Sequence, residues 1–135
     1  MLVDPPALLA FLRLPPGTTL DLEPAALYAN APEHVMLCPP GGERLEVLVR
    51  RPAEDEAATN NAAVHEALSG AGFAHMPRLL GVVGDATAEE WVEGWTALNI
   101  EIPFDAVATG VEVLAELHAL PVREGLRWEA GAPGI

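Results

Sequence analysis

The sequence predicts an α+β fold: a five-stranded, mostly antiparallel sheet with one packing helix inserted after the third strand, and a helix at either end. Three observations lead there. Leu45, Val47 and Val49 alternate with Arg44, Glu46 and Leu48, which marks a strand with one apolar face. "PPGG" at Pro39 to Gly42 lies between two extended runs, and a fixed proline φ followed by permissive glycine suits a hairpin. Beyond Pro52 the apolar period lengthens to that of a helix, first in "AEDEAATNNAAVHEALSGAG" and later in "AVATGVEVLAELHAL".

Each element has its own justification. Asp4 followed by Pro5 is an N-cap and first-turn signal, "ALLAFLRL" continues as a short apolar helix, and "PPGT" at Pro15 to Thr18 stops it. Three strands are expected at Leu20–Tyr28, His34–Cys38 and Arg44–Arg51. The next helix lies within Ala53 to Gly72, where an acidic first turn complements the helix dipole and "SGAG" provides the stop. Ala57, Asn61, Val64 and Leu68 share one side of it, the side expected to meet the sheet. Strands at Arg78–Val83 and Ala88–Trp95 follow, then an apolar helix from Phe104 to Leu120 that Pro121 terminates. Residues 1–121 read as one domain and 122–135 as a loose tail, tacked down by Trp128.

Composition narrows the function classes. Half of the 135 residues are apolar, enough for a self-supporting core. Seven basic against twenty acidic residues give a net charge of −13, a field that repels phosphate backbones and anionic lipid. No nucleic-acid or membrane partner is therefore expected. Glu112 and Glu116 interrupt the longest apolar tract, and Asp4 stands where a leader peptide carries a basic residue. Cys38 is the only cysteine, so no intrachain disulfide forms; the context reads as reducing and cytoplasmic, with Cys38 a small buried hydrophobe. His34, His65, His75 and His118 lack metal-ligand spacing, so no metal site is expected. Trp91 and Trp95 have the same parity and share a face on a continuous strand.

Four stretches, "LEVLVRRP", "AAVHEALSGAGFAHMPRLLG", "WVEGWTAL" and "VLAELHALP", occur in the order found in aminoglycoside phosphotransferase and choline kinase-like (protein-kinase-like) enzymes. Together they cover most of residues 20–121, and the chain resembles the small, N-terminal lobe of that family, in degenerate form. The resemblance places Arg50 at the nucleotide-contacting basic position, Asn61 where the glutamate that orients it is usual (with Glu54 or Glu56 as the substitutes if the alignment moves by a turn), and Glu93-Gly94 in the hinge strand. It places the phosphate loop on Tyr28 to Glu33, with Ala29 and Asn30 at glycine positions and Pro32 and Glu33 in place of a Ser-Asn pair. Pro32 removes an N–H donor and Glu33 adds negative charge, so that loop keeps its position without its chemistry.

In the family the catalytic base and the metal-binding acid lie on a second lobe after the "LHALP" helix; no "HGD"-like segment follows His118 here. The resemblance thus implies a chain inactive alone: a non-catalytic small-lobe module acting through protein contacts, with no catalytic residue and no cofactor. The 104–120 helix, with Val107, Val111, Leu114 and Leu117 uncovered, would meet a protein partner or a second copy. One alternative is half of a split phosphotransferase, in which ATP and Mg²⁺ bind near Arg50, Asn61 and Glu93; another is an acidic inhibitor or nucleic-acid mimic. The plainer readings make Arg50 a surface ion pair, Asn61 a satisfied polar residue, Gly94 a backbone requirement, and His118 a half-buried helix-end histidine.

Overall fold

The structure, a computed structural model, describes residues 1–25, 31–53, 57–93 and 104–120. Helix α1 (Pro5–Phe11) is followed by strands β1 (Thr19–Pro24), β2 (Glu33–Cys38) and β3 (Leu45–Arg50), helix α2 (Ala58–Gly70), strands β4 (Leu79–Val83) and β5 (Ala86–Glu90), and helix α3 (Phe104–His118). The strands form one five-stranded sheet in the order β1-β2-β3-β5-β4, with every neighbouring pair antiparallel. The α+β class, the antiparallel sheet and the helix inserted after the third strand are as the sequence predicts.

Register sorts the side chains onto two faces, because directly paired residues of an antiparallel sheet point the same way. Leu20 and Leu22 lie beside Leu37 and Val35, then Leu45 and Val47, and Val49 lies beside Ala88. These residues, with Val83 and Ala86, meet Val3 and Leu8 in one apolar cluster roofed by α1 and the preceding segment. Leu8, Val35, Leu37 and Val47 are completely buried.

Helix α1 begins at Pro5 as expected, with Asp4 at the cap position, but the Asp4 side chain makes no capping bond. Its stop lies earlier than the proline pair. Arg13 adopts φ +56, its N–H donates to Ala10 O, and the Leu14 N–H reaches back to Leu9 O, the double bond pattern of a left-handed helix end. Close packing of α1 on β4 requires Gly81: a Cβ there would lie 2.5 Å from the Phe11 ring, and φ is +151.

Helix α2 lies against β4 and β5, and its buried alanines stay outside the α1 cluster, which places it on the opposite face. There it covers Thr87 and Glu89, both buried. Two expectations for α2 are corrected. It begins at Ala58 with no acidic residue in its first turn, because "EDE" precedes the helix; residues 54–56 lie outside the described residues. Its buried residues are Ala58, Ala62 and Ala67, not the stripe of Ala57, Asn61, Val64 and Leu68: Ala57 and Val64 are exposed, Asn61 and Leu68 half-buried. Methyl side chains let the helix axis come near the sheet, and larger residues fit only to one side.

Strand limits also shift. β1 spans Thr19–Pro24 and Ala25 is already a bend, with the expected residues 26–28 outside the described residues. β5 spans Ala86–Glu90 instead of starting at Ala88, residues 91–93 are not strand, and residues 94–95 lie outside the described residues. Cys38 is exposed, not buried: its parity puts it on the face away from α1, at the hairpin end of β2. His118 is exposed as well. Among the described residues no helix is long and apolar enough to cross a membrane. The 122–135 tail, Trp128 and Trp95 lie outside the described residues.

Candidate functional site

The α2-side face of β1, β2 and β3 carries the residues the sequence singles out, and register shows how they come there. Glu23 pairs with His34, His34 with Leu48, Leu48 with Glu89, and Arg50 with Thr87. All share one face.

Arg50 closes β3. Its Nη2 donates to Glu89 Oε1 at 3.2 Å, and the Thr87 hydroxyl donates to the Arg50 carbonyl at 3.3 Å. About half of the Arg50 side chain is exposed, whereas Glu89 is almost covered. The carboxylate that meets Arg50 thus comes from β5, not from α2. Asn61 is half-buried on α2.

Glu93 sits elsewhere. It follows β5 past Glu90, and Glu90 pairs with Val47 toward the start of β3, whereas Arg50 is at the strand's other end. A strand advances about 3.3 Å per residue, so Arg50 and Glu93 are separated by most of the sheet's width along the strands. Glu93 accepts a hydrogen bond from Trp91 Nε1 at 2.9 Å. Gly94 lies outside the described residues. The structure brings no two of Arg50, Asn61 and Glu93 into hydrogen-bond contact.

The base of the first hairpin loop departs from the expected phosphate loop in one further way. Glu33 is the first residue of β2 and is buried on the α1 side, paired with Val49. Its Oε1 accepts from the Leu2 N–H, and Oε2 lies 3.9 Å from the Met1 nitrogen. Its charge ties down the segment before α1 instead of facing the loop. Ala25 N–H donates to Pro32 O at 2.7 Å, so the ladder continues one step beyond β1, and Ala31 is buried. Residues 26–30 lie outside the described residues.

A cluster that sequence reasoning missed is built around His34. This buried ring has Nδ1 3.4 Å from Glu23 Oε1 and Nε2 3.1 Å from Glu46 Oε1. Arg44 donates to the same Glu46 oxygen at 2.8 Å. The Trp91 indole lies flat on the imidazole, with ring centroids 3.6 Å apart and planes 3° from parallel. One ring therefore links β1, β2, β3 and the segment after β5. Parity was the available signal: residues 23, 34, 46 and 91 are scattered in sequence, and only the register makes them neighbours. No group of histidine, cysteine and acidic side chains among the described residues has the arrangement of a metal site.

A third region lies between α2, the segment before β4 and β4 itself. It is an open cleft of about 540 Å³ lined by His65, Phe73, Met76, Arg78 and Glu90, among others. Two of its polar side chains are engaged: His65 Nε2 donates to Pro77 O at 2.8 Å, and Glu90 accepts from the Arg78 backbone N–H at 2.9 Å.

Helix α3 is the element with least cover. It has no buried residue, and Phe104, Val107, Val111 and Leu114 are 83%, 49%, 61% and 54% exposed. At 3.6 residues per turn these four lie on one side of the helix. Val113 and Leu117 are half-buried, and Glu116 is held by His75, whose Nε2 lies 2.7 Å from Oε2. His75 in turn meets the Phe73 ring edge-on at 5.4 Å.

No family model, curated protein or solved structure matches this chain.

Proposed function

We propose that this protein is a non-catalytic module, resembling the small lobe of aminoglycoside phosphotransferase-like kinases, that acts through protein contacts made by α3. The observation that carries the reading is the row of Phe104, Val107, Val111 and Leu114 facing solvent along one side of that helix. Contiguous apolar surface of this kind is usually covered by association, because apolar area left in water costs about 25 cal/mol per Å².

The groups that the resemblance assigns to a nucleotide support the non-catalytic part. Arg50 is engaged by Glu89 and Glu93 by Trp91, while Trp91 fills the face beside His34. Asp21, Glu23, Glu46 and Glu89 share that face with Arg44 and Arg50, so carboxylates outnumber guanidinium groups where a triphosphate would lie. An anion placed there meets repulsion and a sheet already paired internally. The single thiol, with no disulfide partner in the sequence, suits a cytoplasmic setting.

The test is affinity capture from native extract with the wild-type chain and a Leu114→Asp variant as parallel baits, read by mass spectrometry. A protein retained by the wild type and lost from the variant supports the proposal. Identical recoveries from both baits, or none from either, would refute it. Recovery of a chain carrying a catalytic "HGD"-type segment would replace it with the split-phosphotransferase reading.

A further inference from the structure

We infer that α3 is a latched helix: the contact between His75 and Glu116 sets how far it holds its helical form on the body of the protein. Little else holds it there. α3 has no buried residue, and among the described residues no strand or other helix packs along it. Its one polar contact with the rest of the described chain is Glu116 Oε2, 2.7 Å from His75 Nε2. The histidine belongs to the body: it lies between α2 and β4, and its ring meets that of the buried Phe73 at 5.4 Å. At about 100° per residue, Glu116 is about 120–180° round the helix from Phe104, Val107, Val111 and Leu114. The latch and the apolar row are therefore on opposite sides.

On its own this helix is weak. It has 15 residues, and isolated helices of about that length are marginal in water. Gly110, Thr109 and the β-branched Val107, Val111 and Val113 lower its intrinsic propensity further. Glu112 and Glu116 are four residues apart, a like-charge pair that opposes the helix. His75 sets an N–H donor against the second of these carboxylates, and among the described residues Glu116 is the one charged group within ion-pair distance of it. Both side chains are about half exposed, so the contact is a modest one. A modest contact suffices to shift an element already close to balance. The row from Phe104 to Leu114 exists only while α3 is helical, so the latch also controls that row; this consequence rests on the reading of α3 as a contact surface.

The test is hydrogen exchange of the full chain, read by mass spectrometry at a single pH. The wild type is compared with His75→Ala, His75→Glu, Glu116→Arg and the double variant His75→Glu/Glu116→Arg. His75→Ala is expected to speed exchange of the α3 amides roughly two- to fivefold, the range an exposed ion pair supports, and to leave β2 and β3 unchanged. His75→Glu sets a carboxylate against Glu116 and is expected to speed it further. In the Glu116→Arg background the same substitution is expected to slow exchange, because the pair is restored with its charges reversed. That inversion separates a contact from a change in the helix's own propensity, which would leave the effect of residue 75 the same in both backgrounds. Exchange of α3 that ignores residue 75, or answers it alike in both backgrounds, overturns the latch and leaves the contact-surface reading standing. If the α3 amides exchange at unprotected rates already in the wild type, there is no helix to latch and both readings fall together.

Discussion

Replacing Arg50 by alanine separates a structural role from a ligand-binding one. The guanidinium is 3.2 Å from Glu89 Oε1, with side-chain exposures of 51% and 11%. At that distance, and at an effective dielectric of about 20, the gross attraction is about 5 kcal/mol. Solvent on the arginine side and the desolvation already borne by Glu89 offset much of it, leaving a net interaction of about 1 kcal/mol. Truncation costs more than the pair is worth, because it leaves a buried carboxylate without its partner. Arg50→Ala is therefore expected to destabilise by about 2 kcal/mol, a fall in Tm of roughly 6–8 °C for a chain of this size. The measurement is urea unfolding of the wild type, Arg50→Ala, Glu89→Gln and the double variant. The cycle should return a coupling of about 1 kcal/mol, with Glu89→Gln partly rescuing Arg50→Ala. A coupling below about 0.3 kcal/mol, with Arg50→Ala as stable as the wild type, would mean that Glu89 does not hold Arg50 and that the guanidinium is free to meet a ligand.

Three further outcomes follow from the packing. Leu8→Ala removes a completely buried side chain under the sheet and should cost about 2–5 kcal/mol in chemical denaturation. Gly81→Ala should cost about 1–3 kcal/mol, because φ is +151 and the new methyl would lie 2.5 Å from Phe11; Phe11→Ala should recover part of that loss in the double variant. Trp91→Ala uncovers His34 and should cost about 1–3 kcal/mol by urea unfolding, whereas Val92→Ala, at a side chain 59% exposed, should stay within about 0.5 kcal/mol of the wild type.

Most of the fold was legible because local rules and tertiary packing agree in it. Alternation in Leu45 to Val49 matches the core face of β3, and "PPGG" turns where Gly41 adopts φ +67. The disagreements have specific causes. The helix face of α2 was misjudged because its hydrophobic residues do not choose a side: small alanines decide the contact, and Val64 lies outside it. Cys38 was misplaced by residue type, although its parity with His34 and Met36 already put it on the face away from α1.

The candidate site was less legible, since it is made of long-range pairs. Arg50 stood out by position, but its partner Glu89 is one of two adjacent glutamates, and only the β3–β5 register selects it. Glu33 shows the same limit: its charge reads as an intrusion into a loop until the sheet turns it toward Leu2. The His34 cluster has no sequence signature, because four distant segments contribute to it.

The most direct measurement is a thermal melt of the wild-type chain with and without millimolar Mg·ATP. A ligand that binds the native state at its dissociation constant or above must raise Tm; at five times Kd the gain is about 1 kcal/mol, or roughly 3–4 °C here. We expect no shift, since Arg50 and Glu93 already have partners within the chain. A dose-dependent rise that Arg50→Ala abolishes would contradict the proposal and return the protein to the nucleotide-binding phosphotransferases.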